Sequence, residues 1–266
     1  MSERAGMFMR ALRTQARVIY ALLMREIITR YGRHNIGFLW LFVEPAIFTL
    51  GVMALWSVIK GGHSGEDAIP VAAFAMTGYS MVLLWRNMSL RCVKAIEPNL
   101  ALMYHRNVKV LDIFIARCLL EFFGATGSFI VISSVLTFLG VMPLPYDFLM
   151  VVSAWVLMAF FAVALGLVVG VASERSELFE RVWHVCTYLL FPLSGAVFMV
   201  EWMPEKMQKI ILWVPMVHGT EMIRHGYYGD LIVTHENPFY LFVFSLVMMF
   251  FGLTLVRDVS KRVEPS

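Results

Sequence analysis

The feature that most constrains this chain is its series of long apolar blocks. Residues 148–172 contain no charged side chain, and neither do residues 182–200 or 238–256. Roughly 20 apolar residues in a helix cross a bilayer core about 30 Å thick, so each block is long enough to span it. Mean hydropathy is +0.73, and only 15% of residues are charged. The chain is therefore predicted to be an integral membrane protein rather than a water-soluble domain.

The fold class predicted from these blocks is all-α, with six transmembrane helices in a single domain over residues 1–266. The flanking charges place short connectors between the blocks, and no separate soluble domain is visible. The predicted spans are about residues 36–59, 69–88, 113–139, 148–172, 182–200 and 238–256.

Two stretches outside the spans carry their own pattern. Over residues 7–34 apolar side chains recur at three- and four-residue steps, while Arg10, Arg13 and Arg17 cluster on another face. This pattern predicts an amphipathic helix in the membrane interface, which either anchors the chain to anionic lipids or also docks a partner. Between the last two spans, the apolar run around Pro215 is too short to cross. Short re-entrant helices are predicted at about 204–228.

The distribution of basic residues predicts the orientation. Of the 22 lysines and arginines, seventeen lie in the two termini and the loops after the second and fourth spans, and four lie in the opposite loops. Cytoplasmic loops of membrane proteins are enriched in these residues. Both termini are therefore predicted to be cytoplasmic.

Several kinds of chemistry are not indicated by the sequence. The chain contains no Gly-Lys pair, so the phosphate-binding loop of common ATPases is absent, and there is no HExxH motif. Its three cysteines form no CxxC pair, which disfavours a zinc site or a disulfide framework. The net charge of +3 is too small to suggest a nucleic-acid partner. We expect no catalytic residue, metal or cofactor on this chain.

Charged and aromatic residues in the spans are candidates for a transport path. Glu44 precedes Pro45, where it either caps the helix at a kink or contacts substrate. Arg86 either snorkels to the interface or attracts an anionic head group. Aromatic side chains can stack on sugar rings, although they also populate membrane interfaces generally. The aromatic candidates for the path are Trp40, Tyr79, Trp85 and Trp202.

One enzymatic alternative is an intramembrane serine hydrolase. Ser194 precedes Gly195 in the fifth span, and His218 and His225 follow in the next segment. Such an enzyme needs serine and histidine in hydrogen-bond contact. A serine beside a glycine is more typical of helix packing.

Two groups of motifs resemble a known family. The segments Arg25–Tyr31, Gly37–Trp40 and Glu44–Pro45 resemble the N-terminal motif of type-2 ABC exporter permeases, a class that exports capsular polysaccharide, O-antigen and teichoic acid. Further segments resemble the capsule branch of that class. They are Phe191–Gly195, Glu201–Pro204, Val214–Gly219, Glu221–Arg224 and Gly226–Tyr228.

This resemblance implies a homodimeric permease that binds two copies of a cytoplasmic ABC ATPase, which use ATP and Mg²⁺. The implied cargo is a lipid-linked, usually acidic glycan, and the implied further partners are a periplasmic polysaccharide co-polymerase and an outer-membrane export channel. A permease for O-antigen or teichoic acid, or a channel that needs no ATPase, remains an alternative.

The resemblance also implies roles for individual residues. The loop after the second span would be the coupling helix, and the segment after the fifth span would form the outer mouth. The implied ATPase-coupling residues are Glu26, Arg30, Glu97, Pro98, Tyr104 and Arg106. The substrate path would contain Trp40, Glu44, Tyr79, Trp85, Arg86 and Trp202, and the outer gate would contain Trp213, Pro215 and His218.

Overall fold

A computed structural model describes residues 2–31, 71–103 and 108–263, with scattered positions between 43 and 58. In these residues every regular element is helical. Short 3₁₀ turns cover Glu97–Asn99, Val200–Trp202 and Gly229–Leu231. The α-helices are α1 (Ser2–Tyr31), α2 (Val71–Cys92), α3 (Leu100–Met103), α4 (Val110–Phe138), α5 (Phe148–Arg175), α6 (Glu177–Leu193), α7 (Glu205–Ile211), α8 (Pro215–Tyr228) and α9 (Pro238–Val263).

Three helices of the described part are long and apolar enough to cross a membrane, namely α4, α5 and α9. They coincide with the third, fourth and sixth predicted spans. Helices also occupy the positions of the second and fifth predicted spans, but α2 carries Arg86 and Arg91, and α6 begins with Glu177. Most of the first predicted span, residues 36–59, lies outside the described residues.

The helix at the fifth predicted span, 182–200, has different bounds in the structure. The helix begins earlier, at Glu177, because the side chain of Ser176 caps it by accepting a hydrogen bond from the backbone N–H of Phe179 at 3.3 Å. It ends earlier, at Leu193, after Pro192, and Gly195 then adopts a φ of +81°. An irregular stretch over residues 194–199 therefore replaces the last turns of the predicted span.

The amphipathic helix predicted over residues 7–34 is present as α1. One face packs on α4 and includes Leu22, which is buried. Another face leaves large apolar side chains exposed, among them Leu12, Tyr20 and Ile28. This exposure suits the predicted contact with a lipid interface.

Helix α5 lies at the centre of the fold, where it packs against α2, α8 and α9. Its small residues allow this close packing. A Cβ atom added at Gly170 would lie 2.3 Å from the Phe114 ring of α4 and 2.9 Å from the Cys92 carbonyl oxygen of α2. Beside this contact the thiols of Cys92 and Cys118 are buried, free and 3.5 Å apart. Membrane helices approach each other most closely at such small side chains.

The helices define two ends of the molecule. At the end that we call the basic end, α1, the 93–103 segment and the last turns of α5 and α9 meet, with Arg91, Arg117 and Arg175 among their side chains. At the opposite end, which we call the loop end, residues 194–237 fold over the start of α5. There the backbone N–H of Asp147 donates to the Gly226 carbonyl oxygen at 2.8 Å.

The packing at Gly170 gives a stability prediction. We expect Gly170→Ala to lower the free energy of unfolding by about 1–3 kcal/mol, because the added methyl group forces the Phe114 ring or the α2 backbone to move. Thermal and denaturant unfolding of the purified protein in detergent measures this change. Gly6→Ala is the control, since nothing lies within 4 Å of its added Cβ. Equal stability of both variants would contradict the tight packing of α5.

Candidate functional site

At the basic end, the 93–103 segment is attached to the end of α5. The backbone N–H of Lys94 donates to Ser173 Oγ at 3.0 Å, and that of Ile96 donates to Glu174 Oε1 at 2.8 Å. Lys94 has a φ of +47°, a left-handed conformation that non-glycine residues adopt rarely and at a cost. These bonds hold the strained turn in place and attach the segment to the last turn of α5.

The same segment is attached to α1 on its other side. Arg25 donates one hydrogen bond to the Asn99 side-chain oxygen and another to the Pro98 carbonyl oxygen at 3.5 Å. Asn99 is buried, and its amide nitrogen donates to the Ala95 carbonyl oxygen at 2.8 Å. Arg25 was missed by the sequence interpretation, because its partners lie more than 70 residues away along the chain.

Glu26, a predicted ATPase-coupling residue, contacts the interior of the fold. Its Oε1 lies 2.9 Å from Nε of Arg117, which donates a further bond to the Arg91 carbonyl oxygen at 2.8 Å. Arg91 in turn pairs with the buried carboxylate of Glu121 at 3.0 Å. Two ion pairs thus join α1, α2 and α4 below the 93–103 segment.

Part of the 93–103 segment faces outward. Glu97, Pro98 and Leu100 are exposed, and Glu97 and Leu100 line an open groove of about 630 Å³. The groove carries side chains of both charges. Arg175, one of its lining residues, also pairs with Asp258 at 2.6 Å. The lining residues are Lys94, Ile96, Glu97, Leu100, Glu174, Arg175, Val259 and Arg262. A surface of this size and mixed charge suits contact with a protein segment.

The remaining predicted coupling residues are not all described. Glu97 lines the groove, and Pro98 is exposed next to it in the chain. Tyr104 and Arg106 lie outside the described residues, and of Arg30 only the backbone, in α1, is described.

At the loop end, one buried arginine organises the irregular chain. Arg224 of α8 is 0% exposed and donates hydrogen bonds to three carbonyl oxygens, those of Gly195 at 2.7 Å, Ala196 at 2.9 Å and Phe198 at 2.6 Å. Buried carbonyl groups outside regular structure need such donors. Arg224 therefore takes the place of the helical hydrogen bonds that end at Leu193.

Arg224 also joins this chain to α2. Its guanidinium lies 4.0 Å from the ring centroid of Phe74, and that ring stacks on Trp202 at 5.3 Å. A Cβ atom added at Gly78 of α2 would lie 2.5 Å from the Ala196 carbonyl oxygen, so the backbones touch here. Helices α2 and α8 and the 194–202 chain thus form one unit, which we call the Arg224 unit. The sequence interpretation counted Arg224 as an outer-loop charge and as part of the Glu221–Arg224 motif, and gave it no role in the site.

Glu221 is the buried counter-ion of this unit. One of its oxygens lies 3.8 Å from Arg224 Nη1, and its carboxylate accepts backbone hydrogen bonds from Val200 and His235, both at 3.4 Å. Nearby, Nδ1 of His225 shares a hydrogen bond with Oε1 of Glu236. Burial raises the pKa of Glu236, but the hydrogen bonds that its carboxylate accepts, among them those from His225 and Thr234, together outweigh burial and hold that pKa below its usual value.

The three predicted outer-gate residues have different environments. Trp213 is 78% exposed in the turn before α8, and its carbonyl oxygen accepts a bond from the Tyr240 hydroxyl at 2.8 Å. Pro215 is the buried first residue of α8, as suits a proline. His218 is buried, accepts a bond from the Asn237 N–H at 3.0 Å, and bonds through its other nitrogen to the Leu212 carbonyl oxygen at 2.9 Å. His218 thus joins two turns and has no free ring nitrogen.

The predicted substrate-path residues are not brought together at one place. Trp202 is 49% exposed at the loop end, and Tyr79 is buried edge-on to Phe191 at 6.1 Å. Arg86 is half-buried between α2 and α6. Trp85 is 0% exposed in the core, so its side chain offers no surface to a substrate, and we do not retain it in the path. Trp40 and Glu44 lie outside the described residues.

The geometry does not support a serine hydrolase. Ser194 is buried and its hydroxyl donates to the Phe191 carbonyl oxygen at 2.7 Å, which is a helix-terminal contact. His218 and His225, the two candidate bases, have the other partners described above. Over residues 108–263 no hydrogen bond joins Ser194 to a histidine, and we abandon this alternative.

Comparison with known proteins places these features in context. A family model described as "ABC-2 type transporter" matches residues 17–228. The capsule polysaccharide export inner-membrane protein CtrC of Neisseria meningitidis serogroup B is 49% identical over 97% of both chains, and BexB of Haemophilus influenzae, with the same description, is 46% identical over 97% of both. The polysialic acid transport protein KpsM of Escherichia coli is 29% identical over 90% of this chain and 92% of its own.

The hydrogen bonds of Arg224 generate a prediction. We expect Arg224→Gln to lower the free energy of unfolding by about 3–5 kcal/mol, because Glu221 is then left buried without its counter-ion and three carbonyl groups lose their donor. The measurement is unfolding of the purified protein in detergent. Lys209→Gln, an exposed change at the same end, serves as the control and is expected to change stability by no more than about 0.5 kcal/mol. A loss no larger than that of the control would contradict the organising role of Arg224.

Proposed function

The chain belongs to the ABC-2 type transporter family, and from this premise we propose that it is the permease subunit of an ATP-driven exporter of capsular polysaccharide. The observation that carries the proposal is the 46–49% identity, over 97% of both chains, to capsule polysaccharide export inner-membrane proteins of two bacteria. The matched region of each relative covers 258 residues of this chain. Transport rather than catalysis is the role that fits a chain of apolar helices.

The membrane topology that we propose has six spans, with the basic end in the cytoplasm of a bacterium and the protein in its inner membrane. Support comes from the three helices long and apolar enough to cross, from α2 and α6 at two further predicted positions, and from the basic residues gathered at one end. Two copies of the chain would flank a shared path.

Energy for export comes, in this proposal, from a separate cytoplasmic ABC ATPase that binds ATP and Mg²⁺. The sequence has no phosphate-binding loop of its own. The groove beside the 93–103 segment is the proposed ATPase contact, because it is open, exposed and of mixed charge. Of the predicted coupling residues, Glu97 and Pro98 would touch the ATPase, whereas Glu26 would hold α1 in place through Arg117.

Helix α5 is the proposed route by which movement at the basic end reaches the loop end. Force on the 93–103 segment passes to the end of α5 through Ser173 and Glu174. At the other end of α5, a Cβ atom added at Gly226 of α8 would lie 2.7 Å from the Val151 side chain, so α8 touches the first turn of α5. A rigid helix in contact with both units can couple them.

The cargo that we propose is a lipid-linked acidic glycan, since one relative is described as a polysialic acid transport protein. Tyr79, Arg86 and Trp202, with Trp40 and Glu44, remain the proposed substrate path, and exposed Trp213 is the proposed outer-gate residue nearest to solvent. A periplasmic co-polymerase and an outer-membrane channel would receive the polymer. Weak stacking contacts suit a long polymer, which must slide rather than remain bound.

Deletion of the gene in its own organism tests the function. We expect the polymer to accumulate in the cytoplasm and to disappear from the cell surface, with restoration by the plasmid-borne gene. Chemical analysis of the trapped polymer separates capsule from O-antigen or teichoic acid. Normal surface capsule in the deletion strain would refute the proposal.

A second experiment tests the groove. We expect Glu97→Arg to reduce export by about tenfold or more while the protein folds and inserts normally, because a reversed charge at the contact opposes docking of the ATPase. The measurement is surface polymer per cell together with ATP hydrolysis by the purified complex. Glu205→Arg, an equally exposed reversal at the loop end, is the control. Loss of export with both variants, or with neither, would argue against the groove as the contact.

A further inference from the structure

Half-buried Arg86 differs from fully buried Arg224 in that its side chain forms no hydrogen bond to a protein acceptor among the described residues. Arg224 donates to three carbonyl oxygens and lies close to Glu221. Among the described residues, the guanidinium of Arg86, on α2, contacts the ring of Tyr188 on α6, whose centroid lies 4.7 Å from its central carbon. Its Nε atom is shielded from solvent and has no hydrogen-bond partner within the described ranges.

The position of this pair argues against a side chain that simply snorkels to the basic end. At 1.5 Å per residue, Arg86 lies about 9 Å from the last residue of α2, whereas Tyr188 lies about 16 Å from the first residue of α6. Both of these helix termini are at the basic end. Helical side chains also lean towards the N-terminus of their helix, which for α2 is at the loop end. Arg86 therefore extends deeper between the helices rather than out to the interface.

In this geometry the guanidinium of Arg86 can bind an anion. Contact with the ring occupies its face, and the N–H donors in its plane form a planar fork that matches a carboxylate or a phosphate. An arginine inside a membrane segment that has no carboxylate partner is costly, so such residues usually mark a substrate pathway. The Tyr188 side chain is 67% exposed, which leaves the pair open to a bound molecule on that side.

We propose that Arg86, supported by Tyr188, binds an acidic group of the polymer as it is exported. The group is either a sugar carboxylate or the phosphodiester of the lipid anchor, since both present two oxygens to a guanidinium fork. This inference rests on the proposed function, because it takes the cargo to be an acidic, lipid-linked glycan. It deepens that function by assigning recognition of the cargo's charge to the contact between α2 and α6.

The first test is export in the deletion strain. We expect Arg86→Gln to lower surface polymer by about tenfold or more, Arg86→Lys to be intermediate because it keeps the charge without the fork, and Tyr188→Phe to be near normal. Surface polymer with Tyr188→Leu is expected to be lower than with Tyr188→Phe, because the leucine substitution removes the aromatic ring. Arg181→Gln, an exposed change on the same helix as Tyr188, is the matched control for loss of positive charge.

The export results distinguish the two proposals. If the wild-type gene does not restore surface polymer, the proposed function fails and this inference fails with it. If the wild-type gene restores polymer and Arg86→Gln restores it equally, only the site assigned to Arg86 is refuted. Equal loss with Arg86→Gln and Arg181→Gln would also refute it, because the effect would then follow net charge and not position.

The second test is binding, which does not depend on export. The permease with its ATPase is placed in phosphatidylcholine nanodiscs and titrated with a sialic acid oligomer, with short-chain phosphatidylglycerol, and with a dextran oligomer as the neutral probe. We expect one acidic probe to bind at least about tenfold more weakly to Arg86→Gln than to wild type, with dextran unchanged. Response to the oligomer identifies the carboxylate, and response to the lipid identifies the phosphodiester. Equal binding of both acidic probes to the two proteins would overturn the site.

Discussion

The attachment of the 93–103 segment to α5 and α1 is the constraint on which the rest of the account depends. Two backbone N–H groups donate to Ser173 and Glu174, and Arg25 holds Asn99 from the other side. Without these bonds, a strained turn at Lys94 and two short helices would be a loose connector. With them, a push on exposed Glu97 acts on the end of a 28-residue helix that extends to the loop end. In the proposed function, this attached segment receives the energy supplied by another subunit.

At both ends of the molecule, backbone groups outside regular helices form hydrogen bonds with side chains. The side chains that do so differ between the two ends. At the basic end, hydroxyl and carboxylate side chains of α5 accept from free N–H groups. At the loop end, the free groups after Leu193 are carbonyls, and Arg224 donates to three of them. Each device fixes a non-helical stretch against a long helix, α5 or α2. Movement of either stretch without its helix would break several hydrogen bonds at once.

The helices could largely be predicted from the sequence because lipid imposes a simple demand. A segment that crosses must be long, apolar and internally hydrogen-bonded, so the blocks at 113–139, 148–172 and 238–256 lie close to the observed helices. The end of α6 was mispredicted because apolar composition continues through Phe198 and Met199, although Pro192 and Gly195 end the helix. Apolar composition indicates which residues avoid water. It does not indicate where Pro192 and Gly195 end the helical backbone.

Individual roles in the candidate sites were harder to predict, since they depend on partners distant in sequence. Nothing near Arg224 indicates that it would reach carbonyl groups 26–29 residues earlier. His218 was taken for a gate residue from its motif, and the structure gives both of its ring nitrogens to neighbouring backbone. Arg86 was singled out from its charge alone, but the lack of a protein acceptor became visible only with the fold.

The most direct test of the central claim is site-specific photo-crosslinking in living cells, with a photoreactive amino acid placed at position 97 or, for comparison, at position 205. The account predicts that position 97 alone forms an adduct, and that mass spectrometry identifies the adduct as an ABC ATPase. An ATPase adduct from position 205, or its absence from position 97 while export continues, would contradict the claim that energy enters through the 93–103 segment.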